Sequence, residues 1–326
     1  MGQHVLVTGA AGFIGSHTCV ALLARGDRVT GLDNFDPYYD PLRKRANVAE
    51  LASEAPGAPF ELVEGDLRDR ALVGRLFAER RFDAVVHLAA MAGVRASVAD
   101  PVTYYDVNLG GTLALLDAAR EHGCKRFVFA STSSVYGATK RVPFHEDDPA
   151  DRPLAPYPAS KRAAELLGHA YHHLHGLRFT ALRFFTVYGP RGRPDMLTYR
   201  LIDAIRTGKP LELYDGGRMT RDWTFVGDTV QGIVAAVDAG LGYEAVNLGR
   251  GEPALVSHFL EAFQRVTGRV VPYFEGPRPE ADVDVTHADI EKARRLLGYS
   301  PRVSVEEGAR RTVEWYERSV ARLGSP

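Results

Sequence analysis

His4-Val5-Leu6-Val7-Thr8-Gly9-Ala10-Ala11-Gly12-Phe13-Ile14-Gly15 is the stretch whose reading decides the fold. His4 to Thr8 reads as a short buried strand, and glycines follow at once. Gly9 permits a tight turn, Gly12 lets the backbone approach a pyrophosphate, and Gly15 lets a helix pack closely on the strand. The apolar run Cys19-Val20-Ala21-Leu22-Leu23-Ala24 then reads as helix, closed by Gly26. Arg28-Val29-Thr30-Gly31-Leu32 is a second strand that ends on Asp33. An acid about twenty residues beyond such a loop can accept hydrogen bonds from an adenosine ribose. Its charge would repel a 2′-phosphate. Loop, flanking elements and acid together point to NAD rather than NADP.

Further units of the same kind follow. Phe60 to Asp66 is a strand ending on an acid, and Asp83 to Ala90 is a strand running into small residues against which a dinucleotide can lie. A helix reads from Asn108 to Arg120, and Arg126 to Ser131 is another buried strand. This alternation predicts an α/β, Rossmann-type doubly wound parallel sheet with its ligand across the carboxyl ends of the strands. Beyond about residue 180 the alternation loosens, and proline, glycine and arginine collect at Gly189–Pro194, Gly216–Arg218 and Gly276–Pro279. Arginines on loops suit a smaller lobe that closes over an anionic ligand. The expected division is residues 1–180 for NAD and the catalytic groups and 181–326 mainly for substrate, with a soft boundary whose segments can interleave.

Tyr157-Pro158-Ala159-Ser160-Lys161 carries the chemistry. Pro158 suits a helix's first turn, and helix from there places Tyr157 and Lys161 four apart on one face. A free phenol titrates near 10 and is a poor base near neutrality. A neighbouring ammonium favours the phenolate, which makes proton abstraction from a hydroxyl feasible. Alone the pair is a weak signal; the glycine loop of the same α/β unit gives it weight.

Composition excludes several classes. Forty Lys and Arg face 41 Asp and Glu, a formal charge of −1, so no bulk field draws nucleic acid or an anionic membrane. Basic clusters such as Arg43-Lys44-Arg45 read as solvated faces or local anion contacts. Cys19 and Cys124 cannot make a disulfide framework or a four-thiolate site, and both read as core. The histidines of Tyr171-His172-His173-Leu174-His175 lack a second ligand cluster, so no metal site is expected. His17 and His87 read as packed side chains near the cofactor loops. No apolar run reaches spanning length and the first residues run straight into a strand, so the expectation is a reduced, cytoplasmic protein.

With glycine loop, Asp33 and the Tyr157/Lys161 pair in view, the chain resembles the extended short-chain dehydrogenase/reductase superfamily over essentially its whole length. Within it the chain is most similar to the nucleotide-sugar 4-epimerases of the glucuronate branch. The stretches that carry this are Asn34-Phe35-Asp36-Pro37-Tyr38-Tyr39-Asp40, Ala92-Gly93-Val94-Arg95, Ser131-Thr132-Ser133-Ser134-Val135-Tyr136-Gly137 and Arg183-Phe184-Phe185-Thr186-Val187-Tyr188-Gly189-Pro190, continuing to Arg193-Pro194-Asp195-Met196. The resemblance implies a catalytic hydroxyl at Thr132, the base at Tyr157 and its lysine at Lys161. It implies pyrophosphate contacts from Gly9, Gly12, Phe13, Ile14 and Gly15, and adenosine contacts from Asp33 and Asn34. Asp66 and Leu67 would flank the adenine, and Leu88, Ala89 and Ala90 would line the dinucleotide path. Uronate contacts would come from Ser133, Ser134, Thr186 and Arg193. Arg95, Arg221, Arg278 and Asp282 would serve the rest of the UDP-sugar.

The implied reaction interconverts UDP-glucuronate and UDP-galacturonate through a 4-keto sugar on tightly bound NAD, in a homodimer. UDP-glucuronate decarboxylase, a 4,6-dehydratase, UDP-galactose 4-epimerase and a non-catalytic NAD-sensing module stay open as alternatives at this point. The first two chemistries place acidic residues where this chain has Ser133 and Ser134.

Overall fold

In the computed structural model, which describes residues 2–279 and 281–323 (320–323 by backbone alone), β1 (His4–Thr8) enters the interior at once, and only His4 stays half-buried. Next come α1 (Phe13–Ala24), β2 (Arg28–Asp33), α2 (Pro41–Glu54), β3 (Phe60–Glu64), α3 (Arg70–Glu79) and β4 (Ala84–His87). Two short helices, α4 (Val94–Ala99) and α5 (Pro101–Tyr105), run through a π-helical turn at Asp106–Gly110 into α6 (Gly111–Glu121). The turn overlaps the first residues of the helix expected from Asn108 to Arg120. β5 (Arg126–Thr132), a 3-10 turn (Ser133–Tyr136), α7 (Pro156–His175) and β6 (Arg178–Phe184) follow.

The remainder is β7 (Thr186–Tyr188), α8 (Leu197–Thr207), β8 (Leu211–Tyr214), β9 (Thr220–Arg221), β10 (Trp223–Phe225), α9 (Val226–Ala239) and β11 (Tyr243–Leu248). It closes with β12 (Ala254–Leu255), α10 (Val256–Thr267), β13 (Tyr273–Gly276), α11 (Glu291–Leu297) and α12 (Val305–Leu323).

Among the described residues one seven-stranded sheet dominates, in the order β11-β6-β5-β4-β1-β2-β3. Every pairing in it is parallel. Successive side chains of a strand face opposite sides, so a sheet covered on both faces needs continuous apolar runs. β1 shows this directly. Val5 and Val7 belong to the core beneath α1 and α9, whereas Leu6 belongs to the core beneath α3, α6 and α7. The fold is the Rossmann-type doubly wound sheet that the alternation predicts.

The division expected at 180/181 runs through the middle of β6. β6 pairs along its length with β5, and β11, some sixty residues further on in sequence, adds to the same edge. The core on the α1 side continues without a break from Val5 to Tyr316. Three small two-stranded sheets, β10-β7, β12-β9 and β13-β8, build the part outside the main sheet.

Helix starts follow local chemistry. Asp40 accepts from the Leu42 amide at 2.9 Å and Asp69 from the Leu72 amide at 2.9 Å, each capping a helix. α7 begins with Pro156 and closes on Gly176 in the left-handed conformation, φ +66°. It is held to the sheet by a buried ion pair. Arg183 of β6 donates to Glu165 at 3.1 and 2.9 Å, Arg162 adds 2.8 Å, and Ser131 of β5 donates to the same carboxylate at 2.5 Å.

The glycine turn is closely packed against the helix that follows it. Gly9 takes φ +70°, and a Cβ on Gly15 would sit on the Gly9 carbonyl oxygen and 2.8 Å from its carbon. Only backbone lies there, so nothing can swing aside. Gly15→Ala is expected to cost about 1–3 kcal/mol through overpacking, read as a lower urea midpoint by circular dichroism. A midpoint equal to wild type would mean that the helix is not pressed against the turn.

Candidate functional site

Strand order reverses between β1 and β4, and at such a switch point the carboxyl ends of the strands splay and open a crevice. The crevice here is a cleft of about 340 Å³. Its lining includes Gly9, Gly12, Phe13, Ile14, Gly15, Asp33, Asn34, Asp66, Leu67, Leu88, Ala89, Ala90, Thr132, Tyr157, Lys161, Thr186 and Arg193. These residues are drawn from eight separate segments of the chain.

One end suits a dinucleotide. A Cβ on Gly12 would lie 3.1 Å from the Gly9 carbonyl oxygen and one on Gly9 2.8 Å from the Ala89 amide, so side chains there would fill the cradle. No side chain caps α1, which leaves its positive end to the cleft. Asp33 is buried at the end of β2. Its two oxygens accept from the Ala11 amide at 3.0 Å and the Phe35 amide at 2.8 Å, and Lys44 stands 4.0 Å away. Burial raises the Asp33 pKa, and Lys44 and the two amides oppose it. Asn34 donates to Asp66 at 3.0 Å, and an Arg68 fork holds the Asp66 carboxyl down to about 2. Of the two readings of the basic triplet, Lys44 takes the local anion contact: it is buried, 4.0 Å from the Asp33 carboxylate, donates to the Asp36 carbonyl at 3.0 Å and lines the cleft.

The other end holds the ionisable groups. Tyr157 sits on the first turn of α7, edge-on to Tyr104 with ring centroids 6.2 Å apart. Its hydroxyl reaches the Thr132 side chain at the end of β5, and Thr132 Oγ1 also accepts from the Ser134 amide at 3.2 Å. Burial raises the phenol's pKa, and the Arg193 charge and the Thr132 hydrogen bond draw it back. Arg193 thus adds a positive charge near the phenol beside the one that the i, i+4 spacing assigns to Lys161. Lys161 lies buried with its ammonium 4.6 Å above the Phe129 ring. Burial brings it down to about 7 against the pull of Glu165 one turn on.

Arg95, Arg221, Arg278 and Asp282 do not line the cleft, nor do Ser133 and Ser134. The first four converge instead on a second cluster. Arg95 lies 3.6 Å from the Asp282 carboxylate, donates to the Tyr214 hydroxyl at 2.9 Å and stacks on that ring. Arg278 donates to the Asp282 carbonyl at 2.9 Å and pairs with Asp284, whose carbonyl accepts from Arg221 at 3.4 Å. Ser133 and Ser134 are half-buried in the 3-10 turn directly after Thr132.

Sequence reasoning missed Met91, Val107 and Met196 in the lining, and Asp195, which grips Arg193 in a two-point fork at 3.0 and 3.1 Å. Spacing alone carries no signal for these. His17 and His87 are packed. His17 meets the Pro190 carbonyl at 3.0 Å, and His87, fully buried, bridges Thr8 and Thr112 at 2.7 and 3.0 Å.

The lowered Lys161 pKa makes a stability prediction. Between about 7 and 10.5 the unfolded chain keeps a proton that the folded, ligand-free protein gives up, so Lys161 penalises folding below that window and the penalty fades as pH rises through it. Lys161→Met removes the titration. From pH 7 to 9 the cofactor-stripped wild type should gain about 2–3 kcal/mol relative to Lys161→Met in urea unfolding. Parallel pH dependences of the two proteins would contradict the assignment.

Residues 5–249 match the NAD dependent epimerase/dehydratase family. A UDP-glucuronate 4-epimerase of Thermodesulfobacterium geofontis is 42% identical, over 100% of this chain and 99% of the relative. The crystal structure of the UDP-glucuronic acid 4-epimerase of Bacillus cereus, in complex with UDP-glucuronic acid and NAD, superposes with a TM-score of 0.89 at 35% identity, covering 97% of this chain and 99% of that one. A Thermotoga maritima UDP-glucose 4-epimerase with UDP-glucose scores 0.88 at 30% identity over 97% and 99%. Fold likeness therefore does not separate acidic from neutral sugars. On sequence, cleft and glycine turn alike, the chain belongs to the NAD dependent epimerase/dehydratase family.

Proposed function

We propose that this protein is a UDP-glucuronate 4-epimerase that interconverts UDP-glucuronate and UDP-galacturonate. The observation that carries the reading is one cleft in which a guanidinium, Arg193, faces the same space as Tyr157 and Thr132 beside the glycine turn. A neutral sugar has no need of that cation, whereas a uronate carboxylate can take it bidentately.

The glycine turn, Asp33, Asn34, Asp66 and Leu67 hold NAD, with Leu88, Ala89 and Ala90 along its path. When bound, NAD supplies reversible hydride acceptance at the sugar C4. The chain's own residues handle protons and orientation. Tyr157 Oη takes the proton of the C4 hydroxyl, and Thr132 bridges phenol and sugar oxygen as charge develops. Arg193 and Lys161 supply the positive potential that favours the phenolate. The Arg95, Arg221, Arg278 and Asp282 cluster anchors the UDP moiety, so the 4-keto sugar can turn while its tether stays fixed. The same proton then returns from Tyr157 to the opposite epimer, and net redox is zero.

A 4-keto uronate is a β-keto acid and loses CO₂ readily. Arg193 and Thr186, the two of the expected uronate contacts that line the cleft, hold the carboxylate so that its scissile bond stays out of line with the ketone's π-system. This favours epimerisation over decarboxylation, and hydroxyls at 133 and 134 in place of acids withhold the extra acid/base that dehydration uses. The division of labour follows the chain: residues up to about 180 serve NAD and catalysis, and the later part serves mainly substrate. Exposed Val98, Val102, Leu166 and Leu174 on α4, α5 and α7 offer a face for a homodimer. The buried, unpaired Cys19 and Cys124 suit a reducing, cytoplasmic setting.

Purified protein incubated with UDP-glucuronate should yield UDP-galacturonate, resolved by chromatography and mass spectrometry. Tyr157→Phe should keep bound NAD yet lose turnover by about 10²–10⁴-fold, the usual share of a positioned acid/base. Near-normal turnover from Tyr157→Phe would remove the tyrosine from the proton step, and no product from wild type would overturn the substrate.

A further inference from the structure

Asp195 lies directly behind Arg193. Its oxygens take Arg193 Nε at 3.0 Å and Nη2 at 3.1 Å, the side of the guanidinium fork. One Nη1 hydrogen and the outer Nη2 hydrogen remain at its end, the second place where a carboxylate can dock in two-point fashion. Arg193 and Met196 line the cleft, and Asp195, between them in sequence, does not. The aspartate therefore does not occupy the space a substrate would take. A third group steadies it: the Tyr38 hydroxyl donates to Asp195 Oδ2 at 3.3 Å, and the Tyr38 ring lies 5.7 Å from the Arg193 guanidinium carbon. Tyr38 belongs to Asn34–Asp40, the stretch that follows β2, so two distant segments meet at this carboxylate.

We propose that Asp195, steadied by Tyr38, is a positioning residue that aims the open end of Arg193 at the carboxylate of an acidic sugar and so helps to select uronates over neutral hexoses. The inference rests on reading Arg193 as the carboxylate contact. An arginine side chain is rich in rotamers, and ordering it on binding costs affinity. A fork already fixed from the side removes that cost and sets the plane in which the second carboxylate must lie. Repulsion between the two carboxylates is moderated because the guanidinium stands between them and because Asp195 is 42% exposed to water. A neutral sugar makes no use of the aimed fork, so the effect is confined to acidic substrates.

Calorimetry of the NAD-loaded protein with UDP-glucuronate and with UDP-glucose tests this on Asp195→Ala, Asp195→Asn, Tyr38→Phe, Arg193→Ala and the Arg193→Ala/Asp195→Ala pair, with retained NAD as the check on folding. Asp195→Ala should weaken UDP-glucuronate about tenfold, the scale of one charge-assisted hydrogen bond, and leave UDP-glucose within about twofold. Asp195→Asn and Tyr38→Phe should fall between Asp195→Ala and wild type, and the double variant should bind UDP-glucuronate no worse than Arg193→Ala. UDP-pentose should rise among the products of Asp195→Ala, a readout that a purely structural role would not move. Equal weakening of both sugars, or losses that multiply in the double variant, would overturn the proposal. Arg193→Ala impaired with Asp195→Ala at wild-type affinity overturns Asp195 alone. Arg193→Ala at wild-type affinity overturns the carboxylate reading and this inference with it.

Discussion

The Glu165 carboxylate is fully buried, and the fold is arranged around satisfying it. An isolated charge at that depth would cost several kcal/mol, so Arg183, Arg162 and Ser131 all turn to it. Such a pair is weak grounds for net stability, since well-packed apolar groups can serve equally well. Its consequence here is geometric. Glu165 and Lys161 lie one turn apart on α7, Ser131 precedes Thr132 on β5, and Arg183 lies on β6. Fixing α7 against those two strands fixes Tyr157 relative to Thr132 and leaves Lys161 over Phe129.

A second buried network reaches the same helix from the cofactor side. Thr8, His87 and Thr112 link the ends of β1 and β4 to α6, and Asn108 in the π-helical turn donates to the Met91 carbonyl and to Ser160 on α7. Ser160 in turn donates to the Tyr157 carbonyl at 2.8 Å. His87 is fully buried and held neutral by that burial, which lets it accept on one side and donate on the other. The glycine turn and the tyrosine are thereby built on one continuous frame.

What could be read in advance was local. The β1 glycines, Asp33 and the Pro-bounded start of α7 each declare themselves within a dozen residues, because turn geometry and helix starts are short-range effects. The cleft lining follows from them, since parallel strands deliver their carboxyl ends to one edge. Long-range pairing was not legible. Nothing near Arg193 in sequence shows that Tyr38 will meet its partner Asp195, and nothing near Arg95 shows that it will stack on Tyr214. The strand that completes the sheet edge, Tyr243–Leu248, lies far beyond the region where the alternation is regular. The basic triplet left two readings open, and only the fold decides between them, because a buried aspartate draws Lys44 inward.

The most direct measurement uses UDP-glucuronate carrying deuterium at C4, incubated with the purified protein in ordinary water without added cofactor. Epimerisation by internal hydride return predicts UDP-galacturonate that keeps the deuterium at C4, with the bound NAD unchanged in oxidation state at the end. UDP-galacturonate whose label has washed out, or a UDP-pentose as the main product, would contradict C4 epimerisation through a held 4-keto uronate.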